Sequence, residues 1–438
     1  MTEPLLAGAA ILAILLLLIF LSVPIAFSLV GASLIGLLLF ADLSVLMAMP
    51  NIAWSATNVF VLTAAPLFIL MSEVIVFTGI GKDLFDAIQK WFGRLPGGLA
   101  VTTVVACAIF GAVSGTGVGV AAVVGGVAIP EMLRRRGVYN EKLATGTVAS
   151  SSALGMVIPP SLPLIIYGVV TETAIADLFI AGIVPGLLIT ILFSLWIVSS
   201  SWMRMRREPE VAALQDEIPR ASWRERILAL RQMLPVILLV VLVIGSIYAG
   251  IATPTEAAGV GAVGAFVLAA FYRRLTWANA WSAIRNATKT TVMLMFIVIG
   301  AMLFGYVLSM LQVPQSVSQW VLDMEMSRWW VFLAIMLAFL LLGMFLDVGS
   351  VILVSVPVIF PTVLALGFDP VWFGIVMMVN LCLAVVTPPV GLCIYVVKNV
   401  VPHVSVSTIV RGSAPFLLLY LAVIAILCAY PEMLRMLY

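Results

Sequence analysis

Residues 111–168 read GAVSGTGVGVAAVVGGVAIPEMLRRRGVYNEKLATGTVASSSALGMVIPPSLPLIIYG. Two interruptions decide how this stretch folds. The glycine cluster Ser114-Gly115-Thr116-Gly117-Val118-Gly119 sits in the middle of one apolar run, and the tandem proline Pro159-Pro160, followed by Ser161, in the middle of the next. Glycine and proline both break helices. A broken helix at membrane depth leaves backbone groups unpaired, so it is tolerated only where it is packed in protein or lines a watery cavity. In secondary transporters such breaks hold the substrate and the coupling ions. The stretch therefore points to the membrane-embedded part of an ion-coupled carrier for a small anionic solute.

The rest of the chain fits a polytopic membrane protein. Of its 438 residues, 63% are hydrophobic and 10% charged, against about 25% charged in a soluble domain. A net charge of +2 suggests no nucleic-acid partner. The four cysteines, Cys107, Cys382, Cys393 and Cys428, lie scattered in apolar runs and read as packing residues. His403 is the sole histidine, which excludes a histidine-rich metal site, and no GxxxxGK[ST] occurs to bind a nucleotide. A secretory signal starts with positive charge, whereas the first basic residue here is Lys82. Residues 5–22 are thus expected as a retained first span.

Apolar runs near 5–22, 25–41 and 59–78 are each about one bilayer long. Residues 82–94 are mixed charged and aromatic and suit a helix in the interface. Residues 98–130 are too long for one crossing and too short for two, so a re-entrant hairpin with its tip near Ser114–Gly119 is expected. A span broken at Pro159-Pro160 follows over 143–170, then a span over 178–202. The stretch 203–231, with Arg204, Arg206, Arg207, Arg220, Arg224, Arg226 and Arg231, reads as a cytoplasmic linker.

After the linker the pattern restarts. Spans within 233–311, an interfacial helix over 312–328, a hairpin over 329–363, a span over 371–398 broken at Thr387-Pro388-Pro389, and a last span over 413–431 repeat the order of the first half. Landmarks keep a nearly constant offset: 230 for Pro24 to Pro254 and for Gly137 to Gly367, 229 for Pro159-Pro160 to Pro388-Pro389, and 228 for Tyr167 to Tyr395. The loop 131–142 carries Arg134, Arg135, Arg136 and Lys142, while its counterpart 361–372 carries no basic residue and has Asp369. By the positive-inside rule the two loops face opposite sides. The expected fold is an all-α polytopic protein built as an inverted repeat, 1–202 and 232–438. Each half has five spans, a re-entrant hairpin and a proline-broken helix, with the first scaffold spans in 1–78.

A helix N-terminus can hold a carboxylate without a buried arginine, and unwound carbonyls can coordinate a bare cation. Ser114, Thr116, Ser161 and Thr387 add hydroxyl oxygens. Gly111, Gly115 and Gly119 also satisfy the small-residue spacing of a helix-packing face, and Gly125-Gly126 is read that way. Asp347 is the sharpest single candidate, because an ionisable side chain at an intramembrane tip is expensive and marks function or a helix cap. Thr253-Pro254-Thr255-Glu256 reads as a capping box and Glu73 as an interface residue. One of Ser150, Ser151 and Ser152 is expected to approach the site.

The segments SGTGVGVAAVVGGVAIPEMLRRRG, IPPSLPLIIYG, DLFIAGIVPG, TPTEAA, FDPVWFG and TPPVG resemble the large membrane subunit of tripartite ATP-independent periplasmic (TRAP) transporters across essentially the whole chain. The resemblance implies an elevator-type, sodium-driven carrier for a small organic anion such as a dicarboxylate, sialic acid or related carboxylate. It also implies a bacterial or archaeal inner membrane, a small membrane subunit and a soluble periplasmic binding protein as partners, and no organic cofactor. By the same resemblance, Ser114, Gly115, Gly155 and Pro159 serve one sodium site, and Gly343, Asp347, Thr387 and Pro388 a second. Thr116, Gly117, Pro160 and Ser161 face the substrate. Many members have Ser where this chain has Thr116, whose extra methyl bears on the solute pocket. A carrier working without a binding protein, or a channel, remains the alternative; an intramembrane enzyme lacks a nucleophile–base pair.

Overall fold

The structure is a computed structural model and describes residues 3–41, 43–135, 137–216 and 221–436. Arg136 and Arg220, used above, lie outside the described residues. Among the described residues the regular structure is helical.

The chain enters through α1 (Glu3–Phe20) and α2 (Ile25–Phe40), a short α3 (Met49–Thr57) and α4 (Ala64–Phe77). Next comes α5 (Ile80–Phe92), which buries Ile80, Leu84, Phe85 and Ile88 along one face and leaves its charged residues on the other. α6 (Gly98–Ser114) and α7 (Gly117–Arg134) form a hairpin joined by two residues. Its arms have 17 and 18 residues, about 26 Å each at 1.5 Å per residue. The second arm runs four residues past the expected end at 130.

α8 (Glu141–Ser152) gives way to a single 3₁₀ turn over Ala153–Met156, the proline pair, and α9 (Leu162–Thr171). α10 (Ile175–Arg207), α11 (Pro209–Asp216) and α12 (Trp223–Tyr248) follow. The described part of the expected linker is therefore largely helical: α10 runs into it, α11 lies within it and α12 starts inside it. Arg206 stacks over the Trp202 ring at 3.6 Å, and Ser222 with Glu225 closes the start of α12.

α13 (Pro254–Phe271) opens with the expected capping box: the Glu256 carboxylate accepts from the Thr253 N–H at 2.8 Å, and the Thr253 hydroxyl accepts from the Glu256 N–H at 3.3 Å. Arg274, just after α13, pairs with Asp83 of α5 at 2.8 Å. α14 (Trp277–Met310) and α15 (Val313–Asp323) lead to a second hairpin, α16 (Arg328–Gly343) and α17 (Val348–Ala365). The second proline break separates α18 (Pro370–Ala384) from α19 (Leu392–Val400), and α20 (Val406–Ala429) and α21 (Glu432–Arg435) complete the chain. Within both tandem prolines the peptide bond is cis.

The centre of the molecule is built on α8 and α18. Every residue from Val371 to Ala384 is buried, as is every residue from Ala144 to Ser152. Their starts are capped alike, with the Leu143 N–H donating to Asn140 and the Trp372 N–H to Asp369, each at 2.8 Å. Long-range bonds stitch the chain halves together there. The Tyr167 hydroxyl donates to the Pro370 carbonyl at 2.7 Å, and the Tyr420 hydroxyl to the Ser150 carbonyl at 2.8 Å. Outward faces are apolar: Leu187, Ile191 and Leu195 on α10 and Leu238, Val241 and Leu242 on α12 are exposed, as helices meeting lipid require. By length and composition, eight helical stretches of the described residues could each cross a bilayer.

Candidate functional site

Both hairpin tips reach both proline breaks. α6 ends because Gly115 takes up the left-handed conformation (φ +64°), which a side chain would disfavour. The Gly115 carbonyl then accepts from the Leu162 N–H at 3.3 Å, tying the first tip to the first break. At the second tip the Met344 carbonyl accepts from the Gly391 N–H at 3.2 Å. The arms that follow each tip cross over, so that α7 packs on α19 and α17 on α9. Gly111 lets α6 pack closely on the turn before the first proline pair. A Cβ there would lie 2.7 Å from the Gly155 Cα, so for this glycine the packing role is the one the structure displays.

Between the tips lies a cavity of about 400 Å³. Ser114, Thr116, Gly117, Val118 and Gly119 wall it from the first tip and Asp347, Val348 and Gly349 from the second. Met156, Leu162, Val385, Leu392 and Cys393 contribute from the two breaks, and Ile69, Ser72, Glu73, Thr290 and Met293 from α4 and α14. Among the described residues no Lys or Arg lines it.

The two tips present opposite chemistry. Thr116 starts α7 without a side-chain cap bond, and the first-turn residues Gly117, Val118 and Gly119 line the cavity. Uncapped N–H groups with the helix dipole behind them suit a carboxylate. The Ser114 and Thr116 hydroxyls lie 3.2 Å apart at the same spot. Asp347, by contrast, caps α17: its carboxylate accepts from the Ser350 N–H at 3.1 Å and from the Ser350 hydroxyl. A carboxylate at a helix start supplies hard oxygen and negative charge, which a small cation requires.

Of the residues singled out from sequence, Ser114, Thr116, Gly117 and Asp347 line this cavity, and Gly115 holds the tip to the first break. Pro159 and Pro160 are buried in that break. Ser161 is fully buried; its hydroxyl donates to the Met156 carbonyl at 2.5 Å and caps α9 by accepting from the Leu164 N–H. Gly155 packs on Gly111, and a Cβ on Gly343 would lie 2.7 Å from that of Ala384. The Thr387 hydroxyl donates back to the Leu383 carbonyl at 2.6 Å, and Pro388 is exposed. Ser150, Ser151 and Ser152 are buried and do not line the cavity. Asn380 binds the Met336 carbonyl at 2.7 Å, joining α18 to α16.

Glu73 differs from expectation. It is half-buried in the cavity wall beside Asn286 of α14, with Thr290 one turn further along lining the same cavity. The signal that could have found it is the polar pair Ser72-Glu73 inside an apolar run, facing polar residues four apart on a neighbouring span.

Residues 12–433 match the family described as "Tripartite ATP-independent periplasmic transporter, DctM component". The chain belongs to that family. A C4-dicarboxylate TRAP transporter large permease protein of Pseudomonas aeruginosa is 36% identical over 373 residues, covering 85% of this chain and 84% of its own. The ectoine/5-hydroxyectoine TRAP transporter large permease protein of Ruegeria pomeroyi is 34% identical over 431 residues, 97% of each chain. In shape the protein is similar to the YdaH transporter of Alcanivorax borkumensis, with a TM-score of 0.59 at 14% identity over 89% of this chain and 88% of that one. The chain is thus a multi-pass membrane permease of a bacterial transporter family and not an enzyme.

Proposed function

We infer that this TRAP permease drives sodium-coupled uptake of a small organic anion, a dicarboxylate, sialic acid or related carboxylate, through the central cavity. The convergence of an uncapped α7 start and the acidic Asp347 tip on one cavity carries the reading. The solute carboxylate meets the Gly117–Gly119 turn with the Thr116 hydroxyl. One sodium ion sits by Ser114 and the first break, and another by Asp347 and the carbonyls of the second. The cations offset the charge of Asp347 and of the solute in a cavity that no basic side chain of the described residues lines.

An inverted repeat moving as an elevator explains the architecture. The caps at Asn140 and Asp369, and the tip-to-break bonds at Gly115–Leu162 and Met344–Gly391, recur at an offset of 229. These matches support two copies of one unit, and the basic loop 131–142 supports opposite orientation. The hairpins, breaks and α8 and α18 then form the moving body against the scaffold helices α4, α13 and α14. A small membrane subunit and a periplasmic binding protein complete the transporter, in keeping with the tripartite family.

Reconstitution tests this. The chain alone in liposomes should take up no solute under an inward sodium gradient, and uptake should appear when the small subunit and the loaded binding protein are added. Robust uptake by the isolated chain, or uptake indifferent to sodium, contradicts the reading.

A further inference from the structure

A second cavity, sharing no lining residue with the central one, lies where α11 folds over the end of α10. It encloses about 220 Å³. Lys142, Arg204 and Arg411 line it, and among the described residues no Asp or Glu does. We propose that this cavity is a binding site for a phosphate group carried by the headgroup of an anionic lipid.

The three cations are not equivalent. The Arg204 guanidinium is committed to the Gly137 and Val138 carbonyls and to Glu208, each at 3.1 Å, and so shapes the floor. Lys142 and Arg411 make no hydrogen bond or ion pair among the described residues. They share one rim because Gly412 of α20 packs its backbone against the Lys142 carbonyl at the start of α8. Two unpaired cations on one concave wall repel each other, and a shared anion removes that cost.

A third observation comes from α11. Gln215 is only 5% exposed, and its Nε2 donates to the Leu95 carbonyl at 3.1 Å. Gln215 lines this cavity, and its Oε1 is buried with no partner among the described residues. A buried acceptor left unpaired is costly. A headgroup that joins a phosphate to hydroxyl donors, as phosphatidylglycerol does, satisfies the cations and Gln215 together.

The setting favours a lipid source over a dissolved one. Trp196 lines the cavity, and the neighbouring Leu195, Trp202 and Met203 of α10 are exposed. Tryptophan beside exposed apolar residues just ahead of Arg204, Arg206 and Arg207 marks headgroup depth, and basic pockets between spans are known to take lipid phosphates. Occupancy would clamp α11 onto the loop before α8.

The test uses the full chain in neutral detergent, with thermal unfolding followed against added phosphatidylglycerol, phosphatidylcholine or sodium phosphate. Phosphatidylglycerol should stabilise the wild type and phosphatidylcholine should not. Each cation removed should raise the half-saturating lipid about fivefold, so Lys142→Gln with Arg411→Gln should raise it about 25-fold. Both side chains are exposed and unbonded, so this variant should melt like wild type without lipid. The charge-preserving pair Lys142→Arg with Arg411→Lys should respond to lipid as wild type does. Stabilisation by sodium phosphate alone, with nothing added by the lipid, overturns the lipid source in favour of a soluble phosphate. Equal response to phosphatidylcholine, or an unchanged response in the double glutamine variant, overturns the site.

Discussion

Asp347 serves two purposes in this reading, and they can be separated. Its carboxylate accepts from the Ser350 N–H and hydroxyl, and Ser350 is fully buried. Replacing Asp347 by Ala removes the cap, at about 1 kcal/mol, and leaves a buried hydroxyl without its acceptor, at about 1–3 kcal/mol. Asp347→Ala should therefore lose about 2–4 kcal/mol of stability. Asp347→Asn keeps an acceptor for the N–H and a partner for the hydroxyl, and Asn caps as well as Asp, so it should lose under about 0.5 kcal/mol. The ion is affected in the other order. A unit charge at ~4 Å is worth about 4 kcal/mol at an effective dielectric of ~20. Even a third of that, about 1.4 kcal/mol, is tenfold in sodium affinity. Asp347→Asn should thus fold normally and need at least about tenfold more sodium for half-maximal uptake. The assay pairs melting in detergent with a sodium titration of uptake by the full tripartite assembly in liposomes. An Asp347→Asn protein with wild-type sodium activation would refute the ion role, and one as unstable as Asp347→Ala would refute the account of the cap.

Three further outcomes follow from the geometry. Thr116→Val should weaken solute binding by about 0.5–1.5 kcal/mol, a few-fold, with little change in stability, whereas Ser161→Ala should cost about 1 kcal/mol of stability through its cap; the pair is read by solute titration beside melting curves, and the opposite pattern would exchange their roles. Gly115→Ala should destabilise by about 1–3 kcal/mol, since φ is +64° and the new Cβ would meet the Pro160 carbonyl at 3.0 Å; an unchanged melting temperature would count against the tip geometry. Cysteines placed at Val138 and Phe368 in a cysteine-free background should react with impermeant reagents from opposite faces, and labelling from one face would rule out the inverted arrangement.

The parts of the site that were legible in the sequence are those where the backbone itself carries the signal. Gly115 and the two proline pairs interrupt helices by local chemistry, so the tips and breaks could be placed to within a few residues. Side-chain direction was not local in that sense. Thr116 and Ser161 look alike in sequence, yet Thr116 lines the cavity and the Ser161 hydroxyl turns back onto Met156. Glu73 reads as an interface residue in sequence, while its surroundings depend on α14 arriving more than 200 residues later with Asn286 and Thr290. The run of arginines from Arg204 reads as a cytoplasmic linker, but Val211 and Gln215, one helical turn apart, are both buried where α11 folds down onto α10.

The bond from the Tyr420 hydroxyl to the Ser150 carbonyl spans 270 residues. A ribosome adds ~5–20 residues per second, so the acceptor waits on the order of tens of seconds for its donor. The Cys382 thiol reaches the Ala153 carbonyl and the Tyr167 hydroxyl reaches the Pro370 carbonyl across similar separations. During that interval the nascent first half holds an unwound, hydroxyl-rich segment in the bilayer with its proper neighbours not yet made. The same crossing of the halves that closes the cavity in the finished protein makes the newborn chain dependent on whatever shelters α8 and α9 until α18 and α20 arrive.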